Sequence, residues 1–286
     1  MSETKTKTFD AISVQTQFVE SNGRKIAYRS IGEGSPIVLC TRFRANLDDW
    51  DPAFLDALAK YYQVIIFDHS GLGSSTGKPP ANVLDFATDV KDLAKALKLE
   101  KIIVGGWSLG GFVAQLVVTE FPELVTHCIL LGTKPPGANE HGIEQIFNDT
   151  AFKPSYTVED ETILFFEPTS AISRAAAQKS HNRIAARTEG KDVRIGEALW
   201  DSYAKCMEDY IKDPYNAREK IMSTSIPMLV ISADHEVCFP PENWFALNRK
   251  LPTTQLIVIP QTGHGPQHQY PKMVARYIHA FVKNYD

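Results

Sequence analysis

The chain has 286 residues, 43% of them hydrophobic, which suits one large α/β domain or a domain carrying an insertion. A formal net charge of −4 argues against a nucleic-acid or anionic-membrane partner. No run of about 18 apolar residues occurs, so no membrane-spanning helix is expected.

Residues 1–13 read as a loose polar tail without the apolar segment of a secretory signal. Residues 14–19 and 24–29 alternate in strand fashion around Ser21, Asn22 and Gly23, an opening hairpin. Residues 36–40 form a short buried strand, followed by a loop from Thr41 to Asn46. Helical spacing covers 52–60, with Asp51 as N-cap and Pro52 at the first position. Another buried strand, 63–68, runs into a tight loop starting at His69. Residues 82–97 are amphipathic, with Val83, Phe86, Val90, Leu93 and Leu97 on one face. A β-branched run, 102–104, then leads through a glycine-rich turn into a helical pattern at 112–118. After Phe121 and Pro122, residues 127–132 form the next strand. Strands alternating with helices predict an α/β fold with a mostly parallel sheet and right-handed crossovers.

The rhythm breaks at Thr133. From there to about 225 no buried strand is visible, and helical patterns occupy 140–148, 158–166, 170–187 and 196–212. Segments 1–132 and 226–286 are therefore expected to form the core, with 133–225 a helical insertion. Alternation resumes with a strand at 227–232, a helix at 241–251, a strand at 255–259 and a closing helix at 271–284. The four cysteines, Cys40, Cys128, Cys206 and Cys238, are scattered without a C-x-x-C pair. They read as thiols of a reducing compartment, and a cytoplasmic location is the expectation.

The glycine-rich turn is Gly106-Trp107-Ser108-Leu109-Gly110, a G-x-S-x-G between strand and helix. By itself this also fits an ordinary tight turn. In its strand–helix context it is a nucleophile elbow, which lifts one serine out of the sheet. Side chains two positions either side of that serine would collide with neighbouring backbone, so both are glycine. A serine hydroxyl needs a base within hydrogen-bond reach, and the base needs an acid to hold its tautomer. On a parallel sheet these groups belong in loops after strands. His264, flanked by Gly263 and Gly265 after the last strand, is the candidate base. His69 follows a strand but precedes the serine, and His268 is expected to be exposed. In the loop after the preceding strand two carboxylates compete, Asp234 and Glu236.

With these residues in place the chain resembles the α/β-hydrolase superfamily, and within it the capped esterases, haloperoxidase-like perhydrolases and carbon–carbon hydrolases. The resemblance covers about 24–284 and rests on residues 67–75, the elbow, the acid loop and Thr262 to Gly265. It implies a helical cap over the site and the chain order serine, acid, histidine. In the family a proline follows four positions beyond the acid. Pro240 therefore places the acid on Glu236, with Asp234 at a variable position. The resemblance also implies an oxyanion hole from the backbone N–H groups of Leu109 and Phe43. One departure is Thr41-Arg42 where the family has His-Gly. Either Arg42 and Arg44 point outward and pair with Asp48 or Asp49, or one of them faces the pocket and binds an anionic substrate group. Trp107 is a candidate pocket-lining residue, as are Phe147, Phe165, Phe166, Trp200 and Tyr203 in the insertion.

The expected activity is that of a serine hydrolase on a small apolar ester, lactone or related carbonyl compound. A ligand-binding or sensor protein on the same fold, a carbon–carbon hydrolase and a perhydrolase are the alternatives. No metal-ligand set or nucleotide fingerprint is visible, so no cofactor is expected. The expected partner is a small-molecule substrate, with a homodimer left open.

Overall fold

The computed structural model of the chain describes residues 9–285. Among them, eight strands form one sheet in the order β1-β2-β4-β3-β5-β6-β7-β8. β1 (Gln17–Ser21) and β2 (Arg24–Ile31) are the expected hairpin, starting three residues later than the alternation suggested. Asn22 and Gly23 turn it with φ of 49° and 77°, the left-handed pair that matches strand twist. β2 also runs antiparallel to β4 (Gln63–Phe67). From there every pairing is parallel: β4 with β3 (Pro36–Cys40), then β5 (Ile102–Trp107), β6 (Val125–Leu131), β7 (Met228–Ala233) and β8 (Thr254–Ile259). β5 lies between β3 and β6 with all six residues buried, which is why it reads as a continuous apolar run.

Period-two alternation sends the strand side chains into two apolar layers. Val38, Ile65, Val104 and Val230 point towards α2 (Val83–Ala96) and α3 (Leu109–Glu120). Ile37, Ile66, Ile103 and Ile231 point towards α1 (Pro52–Leu58) and the C-terminal helix (Pro271–Tyr285). Asp51 caps α1 by accepting from Ala53 N–H, and Asn82 caps α2 by accepting from Asp85 N–H. Of the expected N-terminal tail, residues 1–8 lie outside the described residues. Ala11 is tied down by its N–H donating to Asp56.

Between β6 and β7 the described chain holds no strand. Its helices are α4 (Gln145–Ala151), α5 (Val158–Phe165), α6 (Ala171–Ala185), α7 (Trp200–Lys212) and α8 (Ala217–Ser223). α4 starts five residues later than its apolar spacing suggests, because His141 is held as a loop by reciprocal backbone bonds to the Asn243 amide. α8 went unread in the sequence. Asp213 ends α7 with φ 51° and then accepts from the N–H groups of Ala217 and Arg218, starting the next helix. After β7, α9 (Glu242–Phe245) is far shorter than the expected 241–251. A short α10 (Pro266–Gln269) precedes α11, the C-terminal helix.

The α6 helix is fastened to the core through a buried carboxylate. Asp51 accepts from Ser180 Oγ at 2.7 Å and from Arg183 Nε at 2.8 Å, while capping α1. The side chain of Asp51 is fully buried, and Arg183 is its only ion-pair partner among the described residues.

Candidate active site

β5 ends at Trp107, and Ser108 makes the turn into α3 with φ 58° and ψ −121°. This left-handed conformation is uncommon for a residue with a side chain and costs about 1–3 kcal/mol. The flanking glycines make it affordable to the fold. A Cβ on Gly106 would lie 2.0 Å from the Gly110 carbonyl oxygen, and one on Gly110 would lie 2.1 Å from that of Cys40. The expected backbone collisions are therefore present on both sides. Ser108 N–H is fixed to Leu131 O at 2.9 Å, so its side chain projects beyond the carboxyl edge of the sheet.

His264 reaches the same edge from the loop after β8. Its glycine neighbours are sites of close approach: a Cβ on Gly263 would meet Phe166 O at 2.3 Å. Gly265 N–H donates to Phe165 O, and Trp107 Nε1 donates to His264 O at 2.8 Å. With the backbone so held, His264 Nδ1 lies 2.7 and 2.9 Å from the two oxygens of Glu236. Glu236 is fixed in turn by the N–H groups of Cys238 and Phe239. Because a carboxylate only accepts, Nδ1 carries the proton and Nε2 is left with its lone pair. That buried Nε2 has no hydrogen-bond partner among the described residues. Gly132 marks how closely the His264–Glu236 pair approaches the strand end beside Ser108, although no hydrogen bond joins Ser108 Oγ to His264 Nε2 among the described residues. Gly132 follows Leu131, to which Ser108 is bonded, and a Cβ there would meet His264 Nδ1 at 3.2 Å and Glu236 at 3.3 Å. Asp234, the competing acid, is exposed and accepts instead from Thr262 N–H.

The close approach of Gly110 to Cys40 and Thr41 carbonyls sets the 41–43 segment beside the start of α3. The N–H groups of Leu109 and Phe43 donate to nothing among the described residues. Leu109 is the first residue of α3, where unpaired N–H groups and the positive end of the helix dipole favour an anion.

Ser108 opens into a cavity of about 440 Å³. Its core-side wall comprises Phe43, Leu109, Cys238 and Phe239. Opposite, Trp200, Tyr203, Met207 and Ile211 come from one face of α7, and Phe147 and Phe152 from α4 and its end. Phe147 and Phe239 also place their rings 5.6 Å from the imidazole of His264, joining the base to the cavity wall.

Several expected positions differ. Trp107 does not line the cavity. Its ring is fully buried, 5.9 Å from Trp50 and 5.2 Å from Phe165, because residues either side of an alternating strand end point to opposite faces. Phe165 and Phe166 likewise pack inward against the His264 loop, whereas Phe147, Trp200 and Tyr203 do line it. Arg42 is not in the wall either. It pairs with Asp49 at 2.9 Å, as the outward reading has it, yet is buried with its guanidinium over Trp107 and Phe165. Arg44 pairs with neither Asp48 nor Asp49, donating instead to the carbonyls of Ala151, Lys153 and Pro154. His268 is buried, not exposed. Asp51 N–H donates to its Nε2, and burial pushes its pKa down to about 4. His69 packs between Phe67 and Phe86 and faces Asp89 at 3.4 Å. Burial opposes the Asp89 charge, but His69 and Ser70 together hold that carboxyl below its ordinary range. The sequence reading missed Met207, Phe152 and Phe239 as cavity residues. For Met207 and Phe239 the signal was the apolar stripe of the 196–212 helix and the apolar run after Glu236; nothing local marked Phe152.

Known proteins bear on this arrangement. Residues 35–271 match the alpha/beta hydrolase fold family. A proline iminopeptidase of Pestalotiopsis fici is 25% identical over 285 residues, covering 93% of this chain and 99% of that protein. A pimeloyl-[acyl-carrier protein] methyl ester esterase of Vibrio campbellii is 26% identical, covering 84% of this chain and 91% of that protein. Among solved structures, an alpha/beta hydrolase fold protein from Chitinophaga pinensis superposes with a TM-score of 0.86 at 28% identity, covering 96% of this chain and all of that one. The sheet order, the elbow between β5 and α3, and a match running over most of the length agree, and the chain belongs to the α/β-hydrolase fold family.

Proposed function

We propose that the protein is a serine hydrolase that cleaves a small apolar ester, lactone or related carbonyl compound through an acyl-enzyme. The observation that carries this reading is His264, held by Glu236 on one ring nitrogen with the other unpaired, at the edge where Ser108 opens into an apolar cavity. Ser108 Oγ attacks the carbonyl carbon as Nε2 of His264 takes its proton. The imidazolium gives that proton to the leaving group, and the carbon–oxygen bond breaks. Water, deprotonated by the same nitrogen, then attacks the acyl carbon; the bond to Ser108 Oγ breaks, the imidazolium returns its proton to that oxygen, and the acid leaves. Glu236 orients the imidazole and stabilises its charge throughout. Leu109 and Phe43 N–H groups receive the oxyanion. Residues 133–225 act as the cap, with α4 and α7 closing the cavity over the serine and excluding water.

The test is turnover of short-chain p-nitrophenyl esters together with labelling by a fluorophosphonate probe. The wild type is expected to label on Ser108 and to hydrolyse the esters, with Ser108→Ala doing neither. Folded wild-type protein that neither labels nor turns over would instead make the cavity a binding site without chemistry.

A further inference from the structure

Behind the wall formed by Phe43 and Trp200 lies a second cavity, of about 340 Å³, that shares no lining residue with the first. Three guanidinium groups face it, from Arg42, Arg44 and Arg194, beside Ser155 and Tyr156. Two carboxylates also line it, and both are committed. Asp49 accepts from Arg42 and from Asn46 N–H, and Glu161 lies 3.0 Å from His181 Nδ1. The arginines are not neutralised to the same degree. Arg44 and Arg194 form no ion pair among the described residues; their bonds go to the backbone carbonyls of Ala151, Lys153 and Pro154. Arg42 is 8% exposed, and its Nε has no hydrogen-bond partner.

Arg44 is also held in place with unusual firmness. Its backbone is left-handed, φ 53°, and its guanidinium lies 4.5 Å from the ring centres of both Tyr156 and Trp200. Burial works most strongly against its charge; Tyr156 and Asp49 favour that charge, while the neighbouring charges of Arg42 and Arg194 oppose it, and the net direction is downward. Like charges this close repel, and an unpaired buried donor is costly. An anion relieves both costs, because guanidinium groups take carboxylate or phosphate oxygens by charge-assisted hydrogen bonds.

We infer that the Arg42–Arg44–Arg194 cavity binds a small carboxylate- or phosphate-bearing anion, at a site separate from the one that holds the hydrolysed bond. Its position has a consequence for catalysis. Phe43, whose N–H is the proposed second oxyanion donor, stands between Arg42 and Arg44 in the chain, and its ring meets Trp200 at 5.4 Å. An anion that tightens Arg44 therefore tightens the loop carrying that N–H.

The test is thermal unfolding and calorimetric titration of Ser108→Ala protein, with succinate and with inorganic phosphate, against chloride at equal ionic strength. Using this variant separates the site from any turnover in the first cavity. The expected result is a saturable rise in Tm with either anion in the millimolar range. Affinity should fall at least tenfold in both Arg44→Gln and Arg194→Gln, and Arg194→Lys should retain part of it. Arg194 is exposed, so its replacement tests the site even if Arg44→Gln fails to fold. A response to succinate alone assigns the site to carboxylates, and one to phosphate alone assigns it to phosphate esters. No saturable effect beyond that of chloride, or binding unchanged in Arg194→Gln, would overturn the inference.

Discussion

The two walls of the cavity beside Ser108 are built on different principles. The core wall is a matter of backbone. Ser108 stands in a left-handed turn, Gly106 and Gly110 leave no room for a Cβ, and Glu236 is fixed by two main-chain N–H groups. The α7 wall is a matter of side chains. Trp200, Tyr203, Met207 and Ile211 hang from one regular helix that makes no comparable backbone contact with the serine. The surroundings of Ser108 are thus held by positions with no alternatives, while the shape of the space is held by positions with many.

The sharpest way to break this contrast is at the acid. Glu236→Gln should lower kcat by roughly a thousandfold, since an amide cannot stabilise an imidazolium and can hold the wrong tautomer. Asp234→Asn, exposed and turned towards Thr262, should leave kcat within about twofold of wild type. Ester hydrolysis by the two variants decides which carboxylate serves His264. Next in size is Gly110→Ala, whose Cβ meets backbone and not a flexible side chain. We expect a loss of at least ~3 kcal/mol in chemical denaturation, or no soluble protein. Arg183→Ala tests how the insertion is fastened, because it leaves the Asp51 carboxylate buried with only Ser180 and Ala53 as donors among the described side-chain and capping contacts. A loss of about 2 kcal/mol is expected, less than for a fully buried pair because Arg183 itself is partly exposed.

His268 gives an effect that is spread over pH and has a definite sign. Its folded pKa, about 4, lies below the ordinary histidine value, so between about 6.5 and 4 the unfolded chain binds the proton and the folded chain does not. Stability should therefore fall as pH drops through that window, by about 1.4 kcal/mol per pH unit from this residue. The slope should be shallower by that amount in His268→Gln, measured by denaturation across the range. The smallest change is on the permissive wall. Met207→Ala should shift the preference towards bulkier acyl groups by roughly tenfold in relative kcat/KM, with little loss of stability.

The same contrast explains what the sequence disclosed. The elbow was legible because steric exclusion leaves one residue type at 106 and 110, and such constraints survive as letters. Strands β3 to β7 were legible because burial on both faces leaves only apolar runs. Glu236 was not separable from Asp234 by spacing within this chain; the proline at 240 and the family pattern pointed to it, and the 2.7 Å contact with His264 agrees. What stayed hidden were pairings across long separations. Nothing local marks Asp51 as the partner of Arg183, or His268 as a buried acceptor for Asp51 N–H. Likewise Trp107 adjoins the serine in the chain yet faces the opposite layer, since neighbours along a strand diverge.

The regularity of α7 has a practical consequence. Cavity residues on this helix fall at 200, 203, 204, 207, 208, 211 and 212, so a single stretch of thirteen residues supplies much of one side of the chamber. A library confined to that stretch, or a graft of the matching helix from another member of the family, can redraw the chamber while Ser108, His264 and Glu236 go untouched. The protein is in that sense a fixed tool with an interchangeable jaw.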